Sequence, residues 1–271
     1  MPHPLSEAAE KIKRASRHLE VLHSEIRRFT ESDPKPFHFV PEIDQSSSRY
    51  LLRVKIDREP PSEWSLIAGD FVQNLRASLD YLVWQLVVDN DREPARTNAF
   101  PLFDRRPPQN PKNRHRQRWE ANLAGVSSAA VGFIESCQPF NGADGPDVHV
   151  LSALRELSNQ DKHRSLMPAF SAIQREPDLA DFTVVETHDV LAPIEGGTLH
   201  AGYALHDGDL VLEAPIKILG SNPTVKIEGQ LPLDVAFGKS LVPLEGLRRM
   251  CHAVAETVAT ARHLFVAGSI D

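Results

Sequence analysis

The sequence predicts an α+β fold, a bundle of about five helices combined with an antiparallel β-sheet. Near both ends of the chain, apolar residues recur at alternating spacings of three and four, as in a helix that buries one face. Residues 49–56 alternate between polar and apolar side chains, which is typical of a half-buried strand. We expect one domain over residues 1–271, with the bundle formed by 1–34, 61–166 and 240–267 and the β segments by 37–57 and 180–237.

Each element has its own signal along the chain. The stripe from Leu5 to Phe29 predicts the first helix, which Pro34 ends. Residues 37–43 are expected to form a hairpin with 49–56 across a turn at Gln45–Ser48 and to join strands from 180–237. Because the first and last helices have matching narrow stripes, we expect them to pack together. The remaining helices are predicted at 62–88, 119–137, 148–164 and 244–265.

The composition is that of an ordinary globular protein. Of the 271 residues, 41% are hydrophobic and 25% are charged, as in chains that bury a substantial core. The longest dense apolar stretch, Leu82–Val88, is far shorter than the roughly 20 residues of a membrane helix. Cys137 and Cys251 are too few for a disulfide framework. We therefore expect a cytoplasmic protein with no membrane partner.

The charge distribution is uneven. A net charge of −7 argues against a protein that coats nucleic acid, because such a surface needs a basic excess. However, residues 105–118 contain six arginines and lysines and no acid. The same run contains three prolines, which predicts a loop. Two interpretations remain open, a solvated connecting loop and a loop that docks phosphate.

The helix predicted at 62–88 has few charges. Between residues 68 and 88 they are Asp70, Arg76 and Asp80, with no lysine or glutamate. This predicts burial on both sides, so each charge needs a partner. Asp161 lies on the apolar face of a later helix, and we therefore predict an ion pair between Arg76 and Asp161. The network is interpreted either as a structural device that fixes helix register or as a functional site.

Two of these segments resemble an uncharacterised bacterial family. Its members show a "GD…NLRSALDHL" helix, a following "FP" and an "N-x-DKHR" helix end. Here the corresponding residues are Gly69-Asp70, Asn74–Tyr81, Phe100-Pro101 and Asn159–Arg164. The resemblance follows the order of elements over most of the chain, and it implies an architecture rather than a reaction.

A weaker resemblance extends to HEPN domains, helical bundles that often act as metal-independent ribonucleases. This resemblance implies that Arg76 holds the phosphate, that Asp80 is the orienting residue, and that a histidine transfers the proton. Tyr81 stands where that histidine is expected, so either His163 substitutes or the site is inactive. The accompanying binding residues are expected to be Asn74, Asn159, Asp161, Lys162 and Arg164.

The sequence lacks the common metal-binding and cofactor-binding motifs, and we therefore expect neither a metal nor a cofactor. The sequence has no phosphate-binding Walker loop, no dinucleotide fingerprint and no HExxH pair. Residues 206–209, His-Asp-Gly-Asp, are explained by a hairpin turn.

Three functions therefore stay open. The first is a HEPN-like protein directed at RNA, either a metal-independent endoribonuclease or an inactive relative. The second is a non-catalytic binding or assembly module whose partner is a second copy or another protein, and in which the Arg/Asp/His network is structural. The third is an enzyme for a small ligand bound between bundle and sheet.

Overall fold

The computed structural model has the predicted α+β architecture, with antiparallel pairing throughout the described strands. It describes residues 5–143, 145–172, 182–191, 197–200, 202–229 and 233–266. The α-helices in these ranges are α1 (Ser6–Thr30), α2 (Trp64–Val88), α3 (Arg114–Asn122), α4 (Ser128–Ser136), α5 (Val150–Asp161) and α6 (Leu244–Ala261), the last followed by a π-helical turn at Arg262–Val266.

The chain divides into two compact units. The helical unit comprises Met1–His23, Glu63–Leu166 and Leu244–Asp271. The β unit comprises Ser24–Ser62 and Met167–Pro243, and it contains every strand that the structure describes.

The helical unit is built around α2. Phe71, Leu75 and Leu79 are fully buried, as their shared face predicts. On the opposite face, Tyr81 and Trp84 are 39% and 50% exposed. The predicted burial of α2 on both sides is therefore wrong, because its polar face is open to water along part of its length. The expected pairing of the first and last helices is supported by a contact of 3.4 Å between Ser16 Oγ of α1 and Cys251 Sγ of α6.

The segment predicted as one helix at 119–137 forms two, α3 and α4. Gly125 separates them with a φ of +84°, a left-handed conformation that glycine adopts without a steric penalty. Asn113 caps α3 by accepting a hydrogen bond of 2.9 Å from the His115 N–H. Consequently, the last part of the basic run at 105–118 is helical rather than loop.

In the β unit, the predicted hairpin is confirmed. Its register runs from Phe37 opposite Ile56 to Asp44 opposite Arg49. The described strands are β1 (Phe37–Asp44), β2 (Arg49–Ile56), β3 (Pro168–Ala172), β4 (Phe182–His188), β5 (Val190–Leu191), β6 (Thr198–Leu199), β7 (Leu210–Pro215), β8 (Lys217–Ile218), β9 (Thr224–Gly229), β10 (Leu233–Phe237) and β11 (Val242–Pro243). Strand β7 pairs with the other edge of β2, which gives a sheet of order β1-β2-β7-β6. The remaining described strands form smaller sheets in the orders β11-β10-β3, β4-β9 and β5-β8.

The turn predicted at residues 206–209 is confirmed and docks on β2. Asp207 accepts hydrogen bonds from the Ile56 N–H at 2.9 Å and from Lys55 Nζ at 2.6 Å. The Gly208 N–H donates to the Val54 carbonyl at 2.8 Å. The aspartate therefore acts as a structural acceptor that ties the turn to the sheet.

Candidate functional site

The helical unit contains a basic cleft of about 440 Å³. One wall is formed by α3 and the other by α5, while the segment at 100–103 and Arg76 of α2 complete it. We call this the basic cleft and define it by its lining residues, Arg76, Phe100, Pro101, Leu102, Phe103, Arg114, His115, Arg118, Asn122, Arg155, Ser158, Asn159 and Lys162.

Helical spacing explains why these side chains converge. On α3, Arg114, Arg118 and Asn122 are four residues apart, so they share one face. On α5 and its C-cap Lys162, whose backbone is still helical at φ −63° and ψ −22°, the lining residues at 155, 158, 159 and 162 repeat at three and four, which also places them on one face. Each wall of the basic cleft is therefore a single polar helix face.

Arg76 and Asp80 hold the segment that contains Phe100. Arg76 Nη2 donates to Asp80 Oδ1 at 2.9 Å and also to the Phe100 carbonyl. Asp80 Oδ1 in turn accepts from the Phe100 N–H at 2.8 Å. The side chains of Arg76 and Asp80 are 18% and 35% exposed, so this is a largely enclosed pair that fixes the main chain at one side of the cleft.

The surroundings of this pair shift both pKa values. Burial lowers the pKa of Arg76, an effect that Asp80 opposes and the charge of Arg118 reinforces. Burial raises the pKa of Asp80. The charge of Arg76, the hydrogen bond from the Phe100 N–H and the charge of Lys162 oppose this rise. Arg118 and Lys162 are therefore close enough to the pair to influence its protonation.

The basic cleft has excess positive charge. Five of its lining side chains are cationic and none is acidic. Arg76 is paired with Asp80, and Arg155 with Asp104. The other three, Arg114, Arg118 and Lys162, form no ion pair with any residue that the structure describes. Such cations in the lining of one cleft favour an anionic ligand.

The predicted ion pair between Arg76 and Asp161 is wrong. Asp161 Oδ2 accepts a hydrogen bond of 2.8 Å from Gln73 Nε2, whereas Arg76 is paired with Asp80. The reason is position along α2. A Cβ on Gly69 would lie 2.5 Å from Asp161 Oδ1, and residue 76 is about 10 Å farther along the helix axis.

Of the other predicted site residues, the structure brings only some together. Asn159 and Lys162 line the basic cleft with Arg76. His163 and Arg164 are exposed and do not line it. Asn74 donates its side-chain amide to the Asp70 carbonyl at 2.7 Å, which is a local helix contact. The catalytic roles expected for Arg76, Asp80 and His163 stay predictions, and His163 lies outside the cleft lining that contains Arg76.

Tyr81 also lies outside the cleft lining. This residue stands where the HEPN-like pattern has a histidine. Its ring is 6.0 Å from Lys11 Nζ, in a cation–π arrangement on another face of the unit. The histidine that lines the basic cleft is instead His115, whose ring packs edge-on against Phe103 at 5.9 Å between centroids.

Sequence reasoning did not name Arg114, His115, Arg118 or Arg155 as site residues, although it left open that the run at 105–118 docks phosphate. The first three fall in the run that its prolines marked as a loop. A signal was present, because Asn113 is a good N-cap and Arg114 and Arg118 have helical spacing. Arg155 had no comparable signal, since one arginine on an amphipathic helix is typical of a solvated face.

Within the described residues, no group of three histidine, cysteine, aspartate or glutamate side chains is placed to hold a metal ion. No helix in these ranges is both long and apolar enough to cross a membrane. No protein-family model, no curated protein and no solved structure matches the chain.

Proposed function

We propose that the helical unit binds RNA through its phosphates in the basic cleft. The observation that carries this proposal is five cationic side chains and no acid lining one cleft of a chain whose net charge is −7. Phosphate contacts from arginine and lysine supply most of the affinity of proteins for nucleic acid. The acidic remainder of the chain favours confinement of the ligand to this cleft.

The chemistry of the lining residues suits a phosphate ligand. Four of the five cations are arginines, and the arginine guanidinium presents paired donors that match phosphate oxygens. Asn122 and Asn159 add amide donors and acceptors on the two walls, which suit sugar and base edges. A volume of about 440 Å³ is within the usual range for a ligand pocket.

Binding is tested with a short fluorescent single-stranded RNA and the purified full chain. Replacing Arg114 and Arg118 by glutamine should weaken binding about tenfold or more, because each substitution removes a charged phosphate donor. Arg164→Gln is the matched control, since Arg164 is exposed near the end of α5 but does not line the cleft. Equal weakening by both changes would contradict binding in the cleft and indicate a diffuse basic surface.

Cleavage is a separate question from binding. A metal-independent ribonuclease is supported by the presence of Arg76 and His115 in the same cleft lining, because His can transfer a proton near neutral pH. A non-catalytic binding module is supported by Arg76 Nη2, which is already bonded to Asp80 and to the Phe100 carbonyl. We favour binding as the function and treat cleavage as the point to be tested.

The test of cleavage compares wild type, His115→Ala and His163→Ala on a mixed RNA in the presence of EDTA. Loss of cleavage in His115→Ala alone, with an unchanged melting temperature, would place proton transfer at the cleft. Loss in His163→Ala alone would favour the residue that the sequence predicts. RNA binding without cleavage by wild type would identify a non-catalytic RNA-binding protein.

A further inference from the structure

The wall of the basic cleft formed by α5 contains two buried donors that have no hydrogen-bond partner among the described residues. The Ser158 hydroxyl belongs to a side chain that is 2% exposed, and its Oγ has no hydrogen-bond partner in the part of the chain that the structure describes. Arg155 Nε is likewise buried and unpartnered within those residues. Both residues line the cleft, and their spacing of three places them side by side on α5.

Unsatisfied buried donors are uncommon, because each costs free energy that a hydrogen bond would offset. The remainder of the Arg155 side chain is fixed, since its Nη2 donates to Asp104 Oδ2 and Ser152 Oγ donates to Oδ1 of the same carboxylate. Nε is thus held in place without a hydrogen-bond partner among the described residues. Because Arg155 and Ser158 both line the cleft, a bound acceptor is the partner that would complete their hydrogen bonding.

The charge around the pair indicates the acceptor. Arg155 is neutralised by Asp104, but Lys162 lies one helical turn beyond Ser158 on the same face and has no ion pair among the described residues. On α3, Arg114 and Arg118 add two further cations that form no ion pair within the described residues. An acceptor with close to two negative charges suits this surrounding better than a group with a single charge.

We propose that this end of the cleft is a subsite for a phosphate monoester at the end of an RNA chain, an inference that rests on the proposed function. A monoester carries about −1.5 to −2 charges at neutral pH and three terminal oxygens. It can therefore enter a buried recess end-on. A phosphodiester within the chain has one charge and a sugar on each side, so it cannot approach Ser158 and Arg155 in that way.

The experiment measures binding of one short RNA sequence with a 5′-phosphate, with a 3′-phosphate, or with hydroxyls at both ends. The subsite predicts that one of the phosphorylated RNAs binds about tenfold or more tightly than the hydroxyl form, because the monoester gains charged hydrogen bonds. Ser158→Ala should remove much of this advantage, so the ratio of affinities for the phosphorylated and hydroxyl RNAs should fall towards one.

Ser158→Ala should also keep the melting temperature of wild type or raise it, because the hydroxyl has no hydrogen bond to lose. Ser78→Ala is the matched control. Ser78 is fully buried in α2 and donates to the Ala8 carbonyl at 3.0 Å, so its loss should lower the melting temperature and leave the preference for phosphorylated RNA intact.

The outcomes separate the subsite from the proposed function. Equal binding of all three RNAs, weakened together by Arg114→Gln and Arg118→Gln, would overturn the subsite and retain RNA binding in the cleft. Binding of none would overturn both. Adenosine 5′-monophosphate that binds as tightly as phosphorylated RNA would assign the subsite to free nucleotides and overturn the assignment to RNA ends. If Ser158→Ala kept the full preference for phosphorylated over hydroxyl RNA, the monoester would be recognised elsewhere and the subsite would be overturned.

Discussion

Asp80 and Phe100 are joined through the main chain, because Asp80 Oδ1 accepts the Phe100 N–H at 2.8 Å. Arg76 Nη2 donates to the same carboxylate oxygen and to the carbonyl of Phe100. The N–H and the carbonyl of Phe100 are therefore both hydrogen-bonded to the Arg76–Asp80 ion pair of α2. This arrangement makes the pair a structural support for the basic cleft as well as part of its lining.

Removing one partner of this pair should be costly. Arg76→Ala or Asp80→Ala leaves the charge of the other residue enclosed without its partner. We expect each change to lower the free energy of unfolding by about 3 kcal/mol. This is the lower end of the range for buried pairs, because Asp80 is partly exposed. The matched control is Arg27→Ala, which breaks an exposed pair of the same i,i+4 spacing with Glu31. That change should cost less than about 0.5 kcal/mol.

Chemical denaturation of the three variants measures these differences. A loss of less than about 1 kcal/mol for Arg76→Ala would mean that water replaces the missing partner, and the pair would then have no supporting role. The double variant Arg76→Ala/Asp80→Ala should be more stable than the sum of the single losses predicts, because no unpaired charge remains.

Gly69 marks the close approach of α2 to α5. A Cβ there would lie 2.5 Å from Asp161 Oδ1 and 3.2 Å from Asp161 Cγ, so Gly69→Ala must displace a carboxylate that Gln73 holds. Loss of a hydrogen bond to a charged group outweighs the gain in helix propensity, and we expect a net loss of about 1 kcal/mol.

Gly132→Ala in α4 is the control for Gly69→Ala. Nothing lies within 4 Å of a Cβ at Gly132, so the helix propensity of alanine should raise the free energy of unfolding by up to about 1 kcal/mol. Thermal or chemical unfolding of both variants tests the contrast. Stabilisation of the same size by both would show that Asp161 moves aside without loss.

Much of the fold could be predicted because its signals are local. The alternation at residues 49–56 indicated which side chains face inward. The pairing of Asp44 with Arg49 leaves residues 45–48 as the turn, where the sequence predicts it. The buried stripe of Phe71, Leu75 and Leu79 follows equally from helical spacing. In contrast, the exposure of Trp84 depends on which elements cover α2, and that information is not local.

The candidate site was predictable only in part, for the same reason. Arg76 stood out as a charge on an apolar helix, and it lines the cleft. Its partners could not be predicted, because a main-chain carbonyl such as that of Phe100 has no sequence signature. His163 could not be placed either, since α5 ends at Asp161 and the helical angle carries no information beyond the end of a helix.

The salt dependence of RNA binding should show how many phosphates are neutralised by the cleft cations that have no ion pair among the described residues. For single strands, the logarithm of the association constant falls with the logarithm of salt concentration by about 0.7 per neutralised phosphate. The unpaired Arg114, Arg118 and Lys162 therefore predict a slope of about −2. Arg118→Gln should reduce its size by about 0.7, and Arg164→Gln should leave it unchanged. A slope near zero would contradict phosphate recognition.

The start of α5 should respond to pH through His149. Its Nδ1 accepts a hydrogen bond of 3.2 Å from the Leu151 N–H, which requires an unprotonated nitrogen. Burial lowers the pKa of His149, and the nearby Asp104 opposes this effect only partly. The unfolded chain therefore binds the proton more readily than the folded one.

The sign of the stability change follows from this difference. The contribution of His149 is complete above its ordinary pKa of about 6.5 and is lost as the pH falls through the lower pKa of the folded protein. The loss should approach that of an N-cap, about 1 kcal/mol. His149→Asn keeps a capping acceptor that does not titrate, so the difference in unfolding free energy between wild type and variant should change as the pH falls from about 7 to 5. Parallel curves for the two proteins would mean that His149 does not cap α5 in solution. A loss of the cap in wild type should also weaken RNA binding at low pH, because α5 carries Arg155, Ser158 and Lys162 into the cleft.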